Sequence, residues 1–386
     1  VAEEMGVPFV DLNKLTHDLV VGMGVEKSKE LFMWVPAGKY DFCPKGKVDN
    51  THLNIYGGKV VAGIAIEAVA KVVPELVPYI RYRDPEVYVA DYKDNKECAV
   101  SYTFDDGLLE QYTLVFPELE KRNIKATFAV NGGWMGCISA KKVCMSWEQA
   151  REMAQAGHEI TNHGWMHKNL TKLVGEERRF EIQHNDTVIF EQTGIFPRTY
   201  FYPGNRKNEE AIACASVDRV GTRIRQIDIG SRRNARWLTQ WTDSLIANRL
   251  WGVGMTHGIV TGYDAFPDPQ VFWNHLDEVN CRRDRLWVTT FREVAAYMAE
   301  RENLVLDIKR TSGKITVTFH FTMDKELFDM PLTLLLEDLP DQCAVTVLQD
   351  GRNLPVNLCR RGMVVDFSPW GGPVEISYAS SITKIR

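Results

Sequence analysis

The stretch Cys98-Ala99-Val100-Ser101-Tyr102-Thr103-Phe104, continuing into Asp105-Asp106-Gly107 and then Leu108 to Arg122, decides how this chain is read. Its first seven residues have the β-branched and aromatic content of a strand. Leu108 to Arg122 has helical periodicity, with Asn123 placed to end it. The acidic pair therefore sits where a strand stops and a helix starts, at the C-terminal end of a sheet, which is where β/α enzymes keep their chemistry.

The same alternation extends outward. Lys125 to Val130 reads as the next strand, and Ser146 with Gln149 forms a capping box for a helix that stops at Gly157. His158 to Thr161, Thr199 to Tyr202, Asp218 to Thr222, Leu250 to Met255 and Leu286 to Val288 supply further strands. About seven strands with intervening helices predict an α/β architecture, a (β/α) barrel over residues 91–302. After the helix that begins near Phe291 the pattern becomes alternating. Lys314 to Phe321, Leu332 to Leu336, Ala344 to Leu348 and Val374 to Tyr378 predict a small all-β domain over 303–386. Residues 1–90 form a third block, with an apolar helix over Val60 to Val73 behind Gly57-Gly58 and a connector from Pro74 to Pro85.

A chain of 386 residues, 45% hydrophobic and 25% charged, can build several cores. Its net charge of -5 gives no electrostatic reason for a nucleic-acid partner or an anionic membrane surface. No apolar run approaches the roughly 20 residues that span a bilayer. The eight cysteines include no C-x-x-C pair and are expected to be mostly buried thiols. Cys137 and Cys144 are near enough in sequence to close a small loop in an oxidising compartment. Oligomeric state is not legible.

Adjacent carboxylates repel each other, and a cation ligated by one of them removes that penalty. An isolated Asp-Asp-Gly is more often a helix cap. His163 and His167, four apart after another strand end, change that balance, since one helical turn would bring both imidazoles to one ion. Asp106, His163 and His167 make one carboxylate and two imidazoles, leaving positions open for water and substrate. Mixed oxygen and nitrogen ligation suits zinc, and cobalt, nickel or iron also fit.

With Thr103-Phe104-Asp105-Asp106-Gly107 and His163-x-x-x-His167 in place, residues 95–300 resemble the NodB-type polysaccharide deacetylases, carbohydrate esterase family four. The resemblance implies a distorted (β/α) barrel and an acetylated glycan substrate. By resemblance Asp105 is the general base, Asp106, His163 and His167 hold the metal, and His257, in Met255-Thr256-His257, is the general acid. Two departures stand out. Phe201 occupies the position of the family's base-orienting arginine in Tyr200-Phe201-Tyr202-Pro203-Gly204-Asn205-Arg206, with Arg206 or Arg198 as substitutes. Tyr202, Gly204 and Arg206 are then the substrate and oxyanion candidates, the Gly204 N–H serving the oxyanion. The aspartate that tunes the acid histidine has only Asp228 and Asp243 as candidates.

Near the N-terminus, Asp49-Asn50-Thr51-His52 with Gly57-Gly58 resembles the closing segment of an SGNH esterase of the rhamnogalacturonan acetylesterase branch, and Phe9 to Leu12 fits a late strand of that fold. Asp49 and His52 would be two members of a Ser-His-Asp triad whose serine lies outside this chain. Residues 1 to about 75 are then expected to be a partial α/β segment docked on the barrel or on a partner chain. The function expected is metal-dependent removal of N- or O-acetyl groups from a glycan. The alternatives are a serine esterase and a silent glycan-binding protein. Such substrates place the protein outside the cell or in the periplasm.

Overall fold

The structure, a computed structural model, describes residues 2, 4–38, 43–79, 85–139, 142–231, 233–262, 264–311, 313–339 and 344–378. Cys343 and residues 80–84 of the connector lie outside these. The chain divides into two compact units, Val1–Asp84 and Pro85–Arg386. No helix among the described residues is long and apolar enough to cross a membrane.

Among its described residues the first unit holds two α-helices, α1 (Leu12–Ser28) and α2 (Ile55–Val72), capped by the side chains of Asp11 and Asn54. Gly57 lies against the backbone of Leu31, where a Cβ would fall 2.0 Å from the Leu31 carbonyl oxygen, so only glycine fits. Phe9 and Val10, read as part of a strand, are irregular and lead into α1. A strand needs a partner for its peptide groups, and the described residues of this unit offer only the isolated bridges Phe32 to Leu53 and Val35 to Lys47. Val21, Val25, Ile55, Tyr56 and Tyr79 are exposed.

The second unit runs β1 (Glu86–Val89), β2 (Cys98–Asp105), α3 (Phe116–Lys121), β3 (Thr127–Val130), α4 (Trp147–Gln155), β4 (Glu159–Asn162), α5 (Gly175–Thr193), β5 (Thr199–Phe201), α6 (Glu209–Ala215), β6 (Gly221–Arg223), β7 (Ile227–Asp228), α7 (Ala235–Asn248), β8 (Trp251–Thr256), α8 (Pro269–Asn280), β9 (Leu286–Val288) and α9 (Phe291–Asn303). Then come β10 (Val305–Thr311), β11 (Lys314–His320), β12 (Leu332–Glu337), β13 (Val345–Gln349), β14 (Arg352–Asn353), β15 (Val356–Cys359), β16 (Gly362–Phe367) and β17 (Val374–Tyr378).

A parallel sheet of order β6-β5-β4-β3-β2-β8-β7, with β9 also on β2, forms the barrel. Its outermost strands, β6 and β7, are consecutive in sequence with residues 224–226 between them. Three residues extend only about 10 Å, so the two edges must approach each other and the sheet must curl. All eight residues of β2 are buried, as expected of a parallel strand covered on both faces. Between Gly107 and α3 the predicted helix contains a π turn at Gln111–Val115. The two-residue β7 was not foreseen.

The remaining strands form two antiparallel sheets, β1-β12-β16-β15 and β10-β11-β17-β13-β14. Val87, Ile315, Val317, Leu334, Val365 and Phe367 are among the side chains of the core between them. The β1 strand, just past the connector but inside the block read as residues 1–90, pairs residue for residue with β12. The expectation of mostly buried thiols fails: Cys98 and Cys144 are buried, whereas Cys137 and Cys281 are exposed.

Candidate metal and acid-base site

The site lies at the C-terminal ends of the barrel strands. Asp105 closes β2 and is 3% exposed. Its carboxylate accepts two hydrogen bonds from the Arg223 guanidinium, at 2.7 and 2.5 Å, and Arg223 also donates to Thr103 Oγ1 at 2.9 Å. Burial alone would push the Asp105 carboxyl up. Arg223, with the nearby histidines His163 and His257, outweighs it and holds the group well below the usual carboxylate range.

The arginine paired with Asp105 is thus neither Arg206 nor Arg198. Arg206 is exposed in the turn after Pro203, and Arg198 donates to the Asp218 carbonyl while lying over the Phe196 ring. The reason is sheet register. Arg223 on β6 is the lateral neighbour of Phe201 on β5, and its guanidinium lies 4.0 Å from the centre of the Phe201 ring. The phenylalanine at the expected arginine position supports an arginine supplied by the adjacent strand.

Asp106, in a left-handed conformation (φ 78°), turns its carboxylate toward the loop after β4. Asp106 Oδ1 stands 3.6 Å from His163 Nε2 and 3.5 Å from His167 Nε2. Tetrahedral ligands about 2.0–2.1 Å from zinc stand roughly 3.3 Å apart, close to these separations. Asp106 Oδ1 is buried and has no hydrogen-bond partner among the described residues, which fits an atom reserved for a cation. The other oxygen, Oδ2, accepts from Lys142 Nζ at 2.7 Å. His163 Nδ1 lies 2.9 Å from the Phe201 carbonyl. That partner accepts only, so Nδ1 carries the proton and the Nε2 lone pair faces Asp106. Burial pushes His163 down to about 4, keeping the ring neutral and able to ligate.

The two histidines do not share a helical turn, contrary to the expectation from their spacing. They sit in an irregular loop in which Gly164 (φ 78°) and His167 (φ 56°) are left-handed. The loop is tied down from α5. Glu181 Oε1 accepts the N–H groups of Met166 at 2.6 Å and Lys168 at 3.0 Å. Asn185 donates to Asn162 Oδ1, which accepts the Gly164 N–H. Trp134, after β3, stacks on His167 with ring centres 5.1 Å apart.

His257 follows β8, and Asp264 is its partner. Asp264 Oδ2 lies 2.7 Å from His257 Nδ1 and also accepts the His257 N–H at 3.0 Å. Neither earlier candidate serves: Asp228 accepts the Gly230 N–H, and Asp243 pairs with Arg282 on the surface. Glu110 gathers the loop after His257 by accepting the N–H groups of Ile259, Val260 and Thr261. Burial lowers the affinity of His257 for its proton, but Asp264 and Asp105 outweigh that and raise it. Gln111, in the π turn, donates to the carbonyls of both Asp105 and His257, at 2.6 and 2.7 Å, fixing one strand end against the other.

Of the remaining candidates, Tyr202 is buried with its hydroxyl on Thr222, and Gly204 is exposed in the turn after β5 with φ 60°. In the other unit, His52 Nδ1 lies 2.8 Å from Asp49 Oδ2, and Asp49 Oδ1 accepts the N–H groups of Thr51 and His52. Hydrogen bonds from Lys47 and from this turn hold the Asp49 carboxyl far down.

Residues 92–221 match the polysaccharide deacetylase family. That match spans about a third of the chain. The chain is similar to the peptidoglycan-N-acetylglucosamine deacetylase PgdA of Listeria monocytogenes, 34% identical over 127 residues, which cover 33% of this chain and 25% of that protein. It is also similar to chitin deacetylase 1 of Cryptococcus neoformans, 30% identical over 118 residues, 31% of this chain and 23% of the relative. A third likeness is to the rhamnogalacturonan acetylesterase RhgT of Bacillus subtilis, 32% identical over 88 residues, 23% of this chain and 38% of that protein. The chain thus spans about a quarter to two fifths of the length of these relatives. Arg223, His257 and Asp264 of the site lie beyond the family match.

Proposed function

We propose that the deacetylase domain is a divalent-metal-dependent hydrolase that removes acetyl groups, N- or O-linked, from a polysaccharide or oligosaccharide. The observation that carries this reading is Asp106 Oδ1, buried without a hydrogen-bond partner and faced by Nε2 of both His163 and His167. These three residues would hold one cation, zinc by preference, with cobalt, nickel or iron also compatible. When bound, it supplies Lewis acidity to the acetyl carbonyl and to a water.

The chain's own groups divide the proton work. Asp105, held ionised by Arg223, takes the proton of the attacking water, and His257, whose hold on its proton Asp264 strengthens, gives one to the leaving amine or alcohol. The Gly204 N–H is assigned to the developing oxyanion. Relatives named for peptidoglycan-N-acetylglucosamine and for chitin support an N-acetylated glycan. Polymers of that kind imply an extracellular or periplasmic protein, with no nucleic acid or membrane as partner.

The His52–Asp49 contact of 2.8 Å and the likeness to RhgT favour a second reading for the N-terminal unit, as part of a serine-type SGNH esterase. Acetate release from acetylated glycans, before and after EDTA and with metal restored, separates the readings. Metal-dependent release supports the deacetylase, release that survives chelation supports the esterase, and no release at all leaves a glycan-binding protein. Asp105→Asn is expected to retain metal and lose turnover, and near-normal activity in that variant would remove Asp105 as the base.

A further inference from the structure

Residues 137–139 and 142–144 pair as the two arms of a hairpin laid against the Asp106 turn. Ile138 and Val143 form its bridge, with Ser139 N–H on the Lys142 carbonyl and Cys144 N–H on the Cys137 carbonyl, both at 2.9 Å. This register sets Cys137 across from Cys144, joined by one bond only, since the Cys137 N–H turns back to the Trp134 carbonyl. A further bond from Gly136 N to Met145 O, 2.7 Å, holds the strands together beyond the cysteines. Residues opposed across an antiparallel ladder have Cα atoms about 4.5–5.5 Å apart. Disulfides need about 4.4–6.8 Å between Cα atoms.

The two thiols differ in access. Cys137 is exposed, while Cys144 is buried with Sγ 3.9 Å from the Asp106 carbonyl. The same hairpin carries Lys142, whose ammonium sits on Asp106 Oδ2 and 3.8 Å from the centre of the Trp134 ring. Leu109 N–H also bonds the Val143 carbonyl and Met145 N–H the Gly107 carbonyl, so the hairpin and the Asp-Asp-Gly turn are one packed structure.

We infer that Cys137 and Cys144 are a modification site for low-molecular-weight disulfides, oxidised to a cross-strand disulfide that fixes the Lys142 arm over Asp106. Cys137, as thiolate, attacks one sulfur of glutathione disulfide, forming a mixed disulfide and releasing one glutathione. Cys144 then attacks the Cys137 sulfur and releases the second glutathione, its own proton passing to that leaving thiolate. Two protein thiols and one glutathione disulfide thus become one protein disulfide and two glutathiones. The thiol chemistry stands independently of the hydrolase reading, and only its bearing on metal ligation rests on that reading.

The test uses the full chain equilibrated across ratios of reduced to oxidised glutathione, acid-quenched, alkylated with N-ethylmaleimide and digested with trypsin without reductant. Cleavage after Lys141 and Lys142 puts the two cysteines on separate peptides. The expected result is a linked pair of peptides two hydrogens lighter than their sum and separated by dithiothreitol. In Cys137→Ser the link is lost and Cys144 is alkylated, and in Cys144→Ser Cys137 carries only a glutathione adduct. Recovery of both wild-type thiols alkylated, or each separately glutathionylated, at the most oxidising ratio overturns the proposal. Limited trypsin treatment of the folded protein reads the arm itself: cleavage after Lys142 slows severalfold on oxidation, and an unchanged rate refutes the fixing of the arm. Neither readout involves acetate release, so failure here and failure of the deacetylase reading are distinguishable.

Discussion

Replacing Arg223 with methionine removes the guanidinium that satisfies Asp105 and leaves a carboxylate buried at the end of β2. Both side chains are essentially inaccessible, 1% and 4% exposed, and they share two short charge-assisted hydrogen bonds. Removing one partner of such a pair typically costs about 3–5 kcal/mol, mostly because the remaining charge stays buried and unpaired. For a cooperative unit of this size, that corresponds to a fall of about 5–8 °C in Tm. Adding Asp105→Asn to Arg223→Met removes the stranded charge, so the double variant is expected to regain a large part of the loss. Arg223→Met should also reduce acetate release, because Asp105 loses the group that orients it. Urea denaturation of the four proteins of this cycle measures the coupling. If Arg223→Met unfolds within about 1 kcal/mol of the wild type, below the range for a broken buried pair, the ion pair does not hold Asp105 and the assignment of Arg223 as its support is wrong.

Glu300 is fully buried, accepts one hydrogen bond from Met330 N–H at 2.9 Å, and is pushed up to about 7 by burial. A carboxyl raised this way binds its proton more tightly in the folded state. Its contribution is therefore intact below the unfolded value of 4.5 and is lost as pH rises from there to about 7. Glu300→Gln is expected to match the wild type near the lower limit and to exceed it above the upper one by at most about 3 kcal/mol. Denaturation curves on both sides of this window check the sign. Glu181→Ala frees two backbone N–H groups of the histidine loop and should weaken cobalt binding, read by calorimetry, by about 10–100-fold. Glu181→Gln keeps the acceptor and should stay near wild type. Asp264→Asn should lower acetate release by about 10²-fold or more while cobalt affinity holds, and a matching loss of affinity would assign Asp264 to the metal instead.

What was legible in the sequence was local. Thr103 to Gly107 and the His163/His167 pair declare themselves because each is a short run next to a strand end, and the capping box at Ser146 formed as read. What was missed depends on register or on long separations. Arg223 meets Asp105 only because β6 lies beside β5, 118 residues from its partner in sequence. Asp264 reaches His257 through a loop folded by Glu110, for which no periodicity exists to be read. The histidine spacing was read as one helical turn, whereas an irregular loop brings His163 and His167 to Asp106. Gly164 and His167 take left-handed backbone conformations, and the hydrogen bonds that hold them come from α5. An arginine just past the end of a predicted strand was the available clue to Arg223.

The pairing of β1 with β12 has a consequence for synthesis. Val89 and its partner Leu334 are about 245 residues apart, so the barrel is translated between two strands of one sheet. At roughly 5–20 residues per second, the first strand waits about 12–50 seconds with its edge unpaired while the enzyme-like core folds ahead of it. An expression clone begun at the start of the barrel would deprive the later sheet of an outer member, and insolubility of such a fragment would reflect that missing edge, not a failure of the barrel.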